Sequence, residues 1–406
     1  MTLPLTGVLI LDLADEPLAL AGRLLADLGA DVVRVEDAAG DALRRRGPWV
    51  GGEPGVERGL AHLLYNAGKR SVALNLAHSA APSILDQLAA KADAIIAPME
   101  PHPTVAALLA EERLRAIAPR ANVVDAVLRR DGTAPAVADI AGMAAGGHLV
   151  LDGFAEDAPN HPAGNLAYKQ TSLAAALAAL ALILETAASG QAGRITVCMQ
   201  EAVMWTTIQS ANENYWPWLG QRPSRRGIAN LGGQTIFPTR DGRWVSFYQH
   251  PPSWPAFVSW AEETLGERRF RAPEWDDFAY RSRNHATVVE VTLALCALMD
   301  RDAIVAEAQR RQVLAVPVQT VDDIAHDPHL RERGFFQRVD HPHLGATFEV
   351  MRHPFVSSAY DALAAPAPAL GQHTRAVLAE SGFDPEAVER MIASGAGAAP
   401  AEEVPA

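Results

Sequence analysis

An open α/β domain with a mainly parallel sheet, joined to a smaller α+β domain, is the fold class this 406-residue chain predicts. Three observations carry it. Short apolar runs alternate with helix-spaced segments from Gly7 to Gln200, the pattern of helices layered on a sheet. The first two runs, GVLILDLAD and DVVRVED, flank one helix-spaced segment. That makes a β-α-β unit of about 30 residues, which implies parallel strands and a right-handed crossover. After Tyr215 the composition turns to Trp, Pro and Arg (WPWLGQRPSRRG), as in a linker, and a different pattern follows.

The elements read in order as follows. Gly7–Asp15 is a buried strand, rich in leucine and β-branched residues. Leu18–Ala30 has helical spacing and closes on Gly29, a common helix-terminal residue. Asp31–Asp37 is the second strand. No G-x-G-x-x-G lies between strand and helix, so a dinucleotide cofactor has little support. Lys69–Leu76 is a third strand, Ala81–Ala92 a helix, Ala92–Met99 a fourth strand and Ala121–Leu128 a fifth. A long helix over Ser172–Ala188 precedes the strand Arg194–Gln200 and a further helix. Thr235–His250 reads as a hairpin turned at Asp241-Gly242, and helices follow to about residue 335. Pro/Ala segments (Ala364–Leu370) then lead to a last helix. The domains expected are 1–215, 225–335 and a C-terminal segment 336–394 that returns to the first, with 395–406 a disordered tail. No internal repeat is visible.

Bulk properties narrow the function. The net charge of −13 argues against sequence-independent nucleic-acid binding, which needs clustered cations, but leaves room for a local basic pocket. Cys198 and Cys296 stand in no C-x-x-C pair, so two buried thiols in a reducing compartment are expected, not a disulfide or zinc site. The start MTLPLTGVLILDLAD has no basic segment before its apolar run, so no signal peptide is expected. The apolar stretch Leu173–Leu184 is shorter than the about 20 residues of a membrane span. A cytoplasmic protein without membrane contact is the expectation. Histidines in HDPHLRERG and DHPHLG lie among Pro and Gly in loops, and no metal site is expected.

Two clusters bear on chemistry. Tyr168-Lys169-Gln170-Thr171 opens the alanine-leucine helix. It reads either as a cap, with Thr171 or Ser172 accepting from first-turn amides, or as an anion site that adds Lys169 and the Tyr168 hydroxyl to those amides. Arg44-Arg45-Arg46 and Lys69-Arg70 hold the densest basic content, either a solvated face or a phosphate contact. Arg129-Arg130 follow the fifth strand, at the edge where open α/β sheets bind ligands. No G-x-S-x-G nucleophile elbow occurs.

Longer blocks carry a resemblance. L-T-G-V-L-I-L-D-L, L-L-A-D-L-G-A-D-V-V-R-V-E, G-K-R-S-V-A-L-N-L, G-Q-A-G-R-I-T-V-C-M-Q-E-A-V, F-P-T-R-D-G, V-P-V-Q-T-V-D-D-I-A-H-D-P-H-L-R-E-R-G and L-G-Q-H-T-R-A-V-L appear in order from Leu3 to about Leu378. In these the chain resembles the class III CoA-transferase family, which includes formyl-CoA transferase, carnitine CoA-transferase and α-methylacyl-CoA racemase. The resemblance implies a large α/β domain, a small domain, and two chains threaded like linked rings. It implies acyl-CoA and a carboxylic acid as substrates, no tightly bound cofactor, and an aspartate that attacks the acyl-CoA and carries CoA as a thioester. It also implies CoA contacts at Leu74, His78, Pro98, Met99, Arg129 and Arg130.

The departures matter as much. The family aspartate lies just before the long helix. Counting back from Ser189-Gly190-Gln191 places it at Tyr168 or Lys169, and no Asp or Glu lies between Asp157 and Glu185. Neither side chain can form the acyl anhydride. The block after the fourth strand is A-P-M-E-P-H (Ala97–His102), and Ala77 stands where a lysine is usual. Asp139 matches the aspartate of the racemases' H-D-I-x-Y segment, with Ala138 where their histidine would be. Three functions follow as expectations. One is a catalytically degenerate subunit paired with a homologous chain in a heteromeric CoA-transferase. The second is an enzyme using Tyr168, Lys169 and Gln170 in other chemistry. The third is a non-enzymatic acyl-CoA-binding protein, alone or as a homodimer.

Overall fold

The computed structural model describes residues 2–133, 137–153, 157–207, 235–249, 251–361 and 364–400. The chain forms two units. The larger comprises Met1–Leu149, Asn160–Ser210 and Gly334–Ala406; the smaller comprises Val150–Pro159 and Ala211–Arg333. Residues 150–159 thus leave the block expected over 1–215. Their sequence, VLDGFAEDAP, has no periodicity to mark the excursion. The expected Trp-rich linker, and the aromatic stretch beyond Thr207, lie outside the described residues.

The larger unit runs β1 (Leu9–Asp12), α1 (Ala19–Asp27), β2 (Asp31–Asp37), α2 (Ala42–Arg45), α3 (Leu60–Tyr65), β3 (Arg70–Leu74), α4 (Ala81–Lys91), β4 (Ala94–Ile96), α5 (Pro103–Leu109), α6 (Glu111–Ile117), β5 (Asn122–Val127), α7 (Asp139–Ala145), α8 (Leu166–Ser189), β6 (Arg194–Cys198) and α9 (Met199–Thr207). Its sheet has the order β12-β3-β2-β1-β4-β5-β6. All neighbours are parallel except β12 (Gly397–Ala398), which pairs antiparallel with Leu74 and Ala73. The tail expected to be disordered from Gly395 is therefore an edge strand through Ala398. Its short Gly-Ala sequence carries no strand signal, and the pairing comes from the tertiary fold.

Successive strand residues point to opposite faces. Leu11, Val33, Val72 and Ile95 enter one core, with α4, α5, α6 and the C-terminal helices Thr374–Glu380 and Pro385–Ala393. Ile10, Val32, Ala94, Ile96 and Val124 enter the other, with α1 and α8. Helix α8 meets the sheet through Ala175, Ala176, Ala178, Ala179 and Leu182, all buried. The small side chains allow a close approach. Its opposite flank exposes Leu173, Leu177 and Leu184 at 50%, 68% and 71%. The helix spans 24 residues, not the shorter apolar run expected, and by length and composition alone it could cross a membrane. Here its buried flank is part of the sheet core.

The Arg44–Arg46 cluster is divided: Arg45 and Arg46 are exposed, but Arg44 is not free for phosphate. Arg44 is completely buried. It donates from Nε and Nη2 to the Glu36 carboxylate at 2.7 and 2.9 Å, and from Nη1 to Glu57 at 2.7 Å. Lys69 is also sealed, donating to Asp12 at 2.7 Å, to the Ala19 carbonyl at 2.8 Å and to Asn66 at 2.9 Å. Arg34 reaches Asp12 at 3.2 Å and Asp41 at 2.7 Å. A Cβ at Gly22 would lie 2.4 Å from an Asp12 oxygen, so only glycine lets α1 pass this carboxylate. Arg70 binds Asp31 and Glu380.

The smaller unit is α+β. Strands β7 (Ile236–Pro238), β8 (Trp244–Tyr248) and β9 (Leu314–Val318) form an antiparallel sheet in that order. The hairpin turns at Asp241-Gly242, where Asp241 accepts from the Thr239 hydroxyl at 2.5 Å. Phe237, Phe247, Trp254, Phe257, Trp260, Phe270 and Trp275 fill its core. Strand β9 falls where only helices were expected. A further hairpin, β10 (Phe336–His341) with β11 (Ala346–Met351), lies in the C-terminal segment. Both free cysteines are buried.

Candidate active site

In the large unit the loops after β1, β4 and β5 leave the same edge of the sheet, and the N-terminus of α8 comes to that edge. Ser172 donates to the Pro17 carbonyl at 2.9 Å, and Asn165 donates to Glu16 at 3.0 Å. Both partners belong to the loop that follows β1. This is the edge where open α/β sheets bind ligands.

Helix α8 starts at Leu166, six residues before the expected start. The knot is therefore inside the helix, and the capping reading is corrected. Thr171 and Ser172 donate to carbonyls and accept no first-turn amide. The polar residues had read as a helix boundary because they interrupt the apolar run. The N-cap, Asn165, has φ 52° and makes no side-chain cap. The first-turn acceptor comes instead from α7. Asp139, 7% exposed, accepts from the Tyr168 amide at 3.0 Å and pairs through its other oxygen with His161 Nε2 at 2.8 Å. A buried carboxylate at a helix N-terminus satisfies the free amide and suits the dipole. Sequence reasoning missed His161. Ala138 leaves the family histidine position empty, yet a histidine from the loop before α8 reaches the same carboxylate.

A small pocket at this mouth is lined by Glu16, Leu20, Tyr65, Asn165, Tyr168, Lys169 and Ser172. Burial, with Glu16 and Asp139 nearby, pushes the Tyr168 hydroxyl up to about 12. Burial and Glu16 also raise Tyr65. Both phenols stay protonated at neutral pH and serve as hydrogen-bond donors. Among the described residues no carboxylate pairs with Lys169. The Gln170 Oε1 is buried without a partner.

Carboxylates do approach the site from other elements, but each is constrained. Glu16 is held by both terminal nitrogens of Arg46 and by Asn165. Asp139 is held by His161 and the Tyr168 amide. Asp15 accepts from the Glu100 amide at 3.0 Å, while its other oxygen is buried without a partner. Burial raises its carboxyl above the ordinary range, against the lowering pull of its backbone hydrogen bonds and Arg34.

The residues expected at CoA are spread along this edge. Leu74 ends β3 and is wholly buried beside β12. His78 turns inward to accept from the Ala80 amide at 3.1 Å. Pro98 and Met99 follow β4, above Asp15. Arg129 and Arg130 follow β5, are exposed, and pair with Asp131 and Glu201. Among the described residues there is no cluster of metal-ligating side chains, and the His326–Gly345 histidines form none.

The fold and this edge define a class of open α/β ligand-binding protein, and comparison with known proteins gives the family. The family model for CoA-transferase family III matches residues 5–374, and the chain belongs to that family, whose members use CoA thioesters as substrates. The succinyl-CoA:(R)-benzylsuccinate CoA-transferase subunit BbsE of Thauera aromatica is 29% identical over 401 residues, covering 95% of this chain and 96% of that relative. The formyl-CoA:oxalate CoA-transferase of Shigella sonnei is 26% identical, covering 96% and 99%. The crystal structure of a CAIB/BAIF family protein from Brucella suis matches with a TM-score of 0.80 at 24% identity, covering 94% of this chain and 100% of that one. That of Rv3272 from M. tuberculosis matches at 0.75 and 21%, covering 93% and 99%.

Proposed function

We propose that the chain acts in acyl-CoA:carboxylate CoA transfer as the catalytically degenerate subunit of a heteromeric CoA-transferase. One observation carries this: the mouth of α8 presents Tyr168, Lys169 and Gln170, with no carboxylate between Asp157 and Glu185. Covalent transfer needs a free carboxylate as nucleophile. The three that approach from elsewhere are engaged in ion pairs or hydrogen bonds, and burial raises the Asp15 carboxyl above its ordinary range. A relative named as a subunit of such an enzyme supports the assignment. The exposed leucine flank of α8 supports a covering chain, in the linked-ring arrangement the family resemblance implies. CoA would lie along the sheet edge, near His78, Pro98, Met99, Arg129 and Arg130, in a cytoplasmic protein.

The unpaired Lys169 ammonium and the orphan Gln170 oxygen favour a second reading, in which these groups polarise an acyl thioester without a covalent carboxylate. One experiment separates the readings. The chain is purified alone and after co-expression with a family homologue from its own cell, and CoA transfer from succinyl-CoA to carboxylic acids is assayed. We expect no transfer by the isolated chain and transfer by the pair. Robust transfer by the isolated chain rejects the subunit reading, and its loss in Lys169→Ala then establishes the second. Calorimetric binding of CoA without turnover in either preparation points to a non-enzymatic binding protein.

A further inference from the structure

The smaller unit holds a second cleft, and two of its buried polar side chains lack a counter-group among the described residues. Five arginines are buried among the described residues: Arg23, Arg34, Arg44, Arg281 and Arg301. Four of them have a carboxylate partner, at Asp27, Asp12, Glu36 and Asp323. Arg281, 5% exposed, has none. Its Nη1 donates to the Trp275 and Asp276 carbonyls at 2.6 and 3.0 Å, and its guanidinium carbon sits 4.6 Å over the Trp254 ring. Asp276 and Asp277 act on it only from a distance, and their side chains are exposed. A buried cation without a counter-ion is costly.

A second, independent group points the same way. Trp254 is 2% exposed, and its indole Nε1 is buried with no acceptor. Buried donors are nearly always satisfied, by protein, water or ligand. Trp254 and Arg281 line one cleft with Gln249 and His285, enclosing about 380 Å³ of empty space, part of it open solvent. Burial lowers His285, so it is neutral there. The Gln249 amide is spent on the Thr292 hydroxyl at 2.7 Å. The cleft then carries a single positive charge, the guanidinium, beside an indole N–H that lacks an acceptor.

We propose that this cleft binds a small carboxylate. The planar guanidinium fork matches a carboxylate, and one cation matches a monoanion better than a phosphate dianion. The site does not depend on the reading of the α8 mouth. Free carboxylic acids are the co-substrate class of the family, so the cleft would let the chain respond to them.

The test uses the full chain with 15N-labelled tryptophan. The chain has eight tryptophans, and Trp254→Phe assigns the relevant indole signal. Acetate is titrated in a low-salt zwitterionic buffer, with inorganic phosphate as a second arm. The Trp254 signal should shift and saturate with acetate, and Arg281→Gln should weaken binding by about tenfold or more. If that variant does not fold, Arg281→Lys keeps the charge without the fork and should weaken binding several-fold. A wild-type signal that does not move with acetate overturns the proposal. Equal affinity in the folded arginine variant also overturns it, as does a response to phosphate without one to acetate.

Discussion

The cluster around Asp12 and the mouth of α8 use the same residue types and treat them oppositely. Around Asp12, Lys69 spends three hydrogen bonds on Asp12, Ala19 and Asn66, and Arg34 joins Asp12 to Asp41. At the mouth, Lys169 has no acid partner, a Gln170 oxygen is orphaned, and Asp15 keeps an unpaired buried oxygen. Each charge around Asp12 has an opposite charge beside it, although the Arg34 Nε is left without an acceptor; such charge pairing is what a scaffold needs, because an unpaired charge in the interior is costly. Groups left unpaired beside a pocket are available to something that binds there. The contrast separates charges that hold the fold from charges that serve a ligand.

The largest expected effect tests the scaffold side. Lys69→Met leaves Asp12 buried with the Ala14 amide and the longer Arg34 contact as its partners, and the loss should be about 3–5 kcal/mol. Urea denaturation measures it as a drop in midpoint at unchanged slope. A loss below about 1 kcal/mol, the scale of a surface pair, would break the comparison.

Acid sharpens it further, because one aspartate from each region responds with opposite sign. Burial opposes the charged form of Asp41, but Arg34, helped by His62 and Arg44, lowers its carboxyl from 3.8 to about 2. Its stabilisation is present above the unfolded value and is lost as pH falls through about 4 to 2, a change of about 2 kcal/mol. Asp41→Asn keeps a capping side chain on α2. It should be less stable than wild type at pH 6, and the difference should close toward pH 2. Asp15 is raised, so its charge is unfavourable at neutral pH and the penalty is relieved on acidification. Asp15→Asn should therefore be slightly more stable than wild type at pH 7, with the gain fading as pH falls. Melting curves of the two variants across this range check both signs. Parallel curves would mean that the regions do not differ in this respect.

How legible all this was in the sequence depends on what carries each signal. Strands β1 to β6 announce themselves as apolar runs of the right length and α1, α4 and most of α8 by their spacing, while α2, α3, α5, α6 and α7 do not, and the Asp241-Gly242 turn marks the hairpin. Strand β12 was not legible, since Gly397-Ala398 is a strand only because β3 leaves an edge open beside it. The ion network was not legible either. Arg44-Arg45-Arg46 reads as one basic face, yet Arg44 turns wholly inward and Arg46 binds Glu16, because partners 8 and 30 residues away become neighbours only in the fold. At the site, the stretch without Asp or Glu between Asp157 and Glu185 was readable directly. The carboxylates of Glu16 and Asp139, and the histidine at 161, were not, because they arrive from two loops and the start of α7. Asp15 and Glu16 did carry one usable signal, their position just after the first strand of a parallel sheet.

The smallest effect completes the contrast. Lys169→Met removes the same ammonium that Lys69→Met removes, from near the start of the 24-residue helix α8. No carboxylate is stranded by its loss, and a cation in the first turns of α8 opposes the helix dipole. The stability change should therefore stay within about 0.5 kcal/mol of zero. Labelling offers a check on the same residue. The chain has three lysines, and Lys69 is sealed in the core, so an amine-reactive reagent on the folded protein should mark Lys169 and Lys91 and spare Lys69. If Lys169 serves a ligand, an acyl-CoA should slow its labelling and leave Lys91 unchanged. If Lys169→Met costs as much as Lys69→Met, the lysine at the mouth is part of the scaffold after all, and the difference between the two regions is one of appearance only.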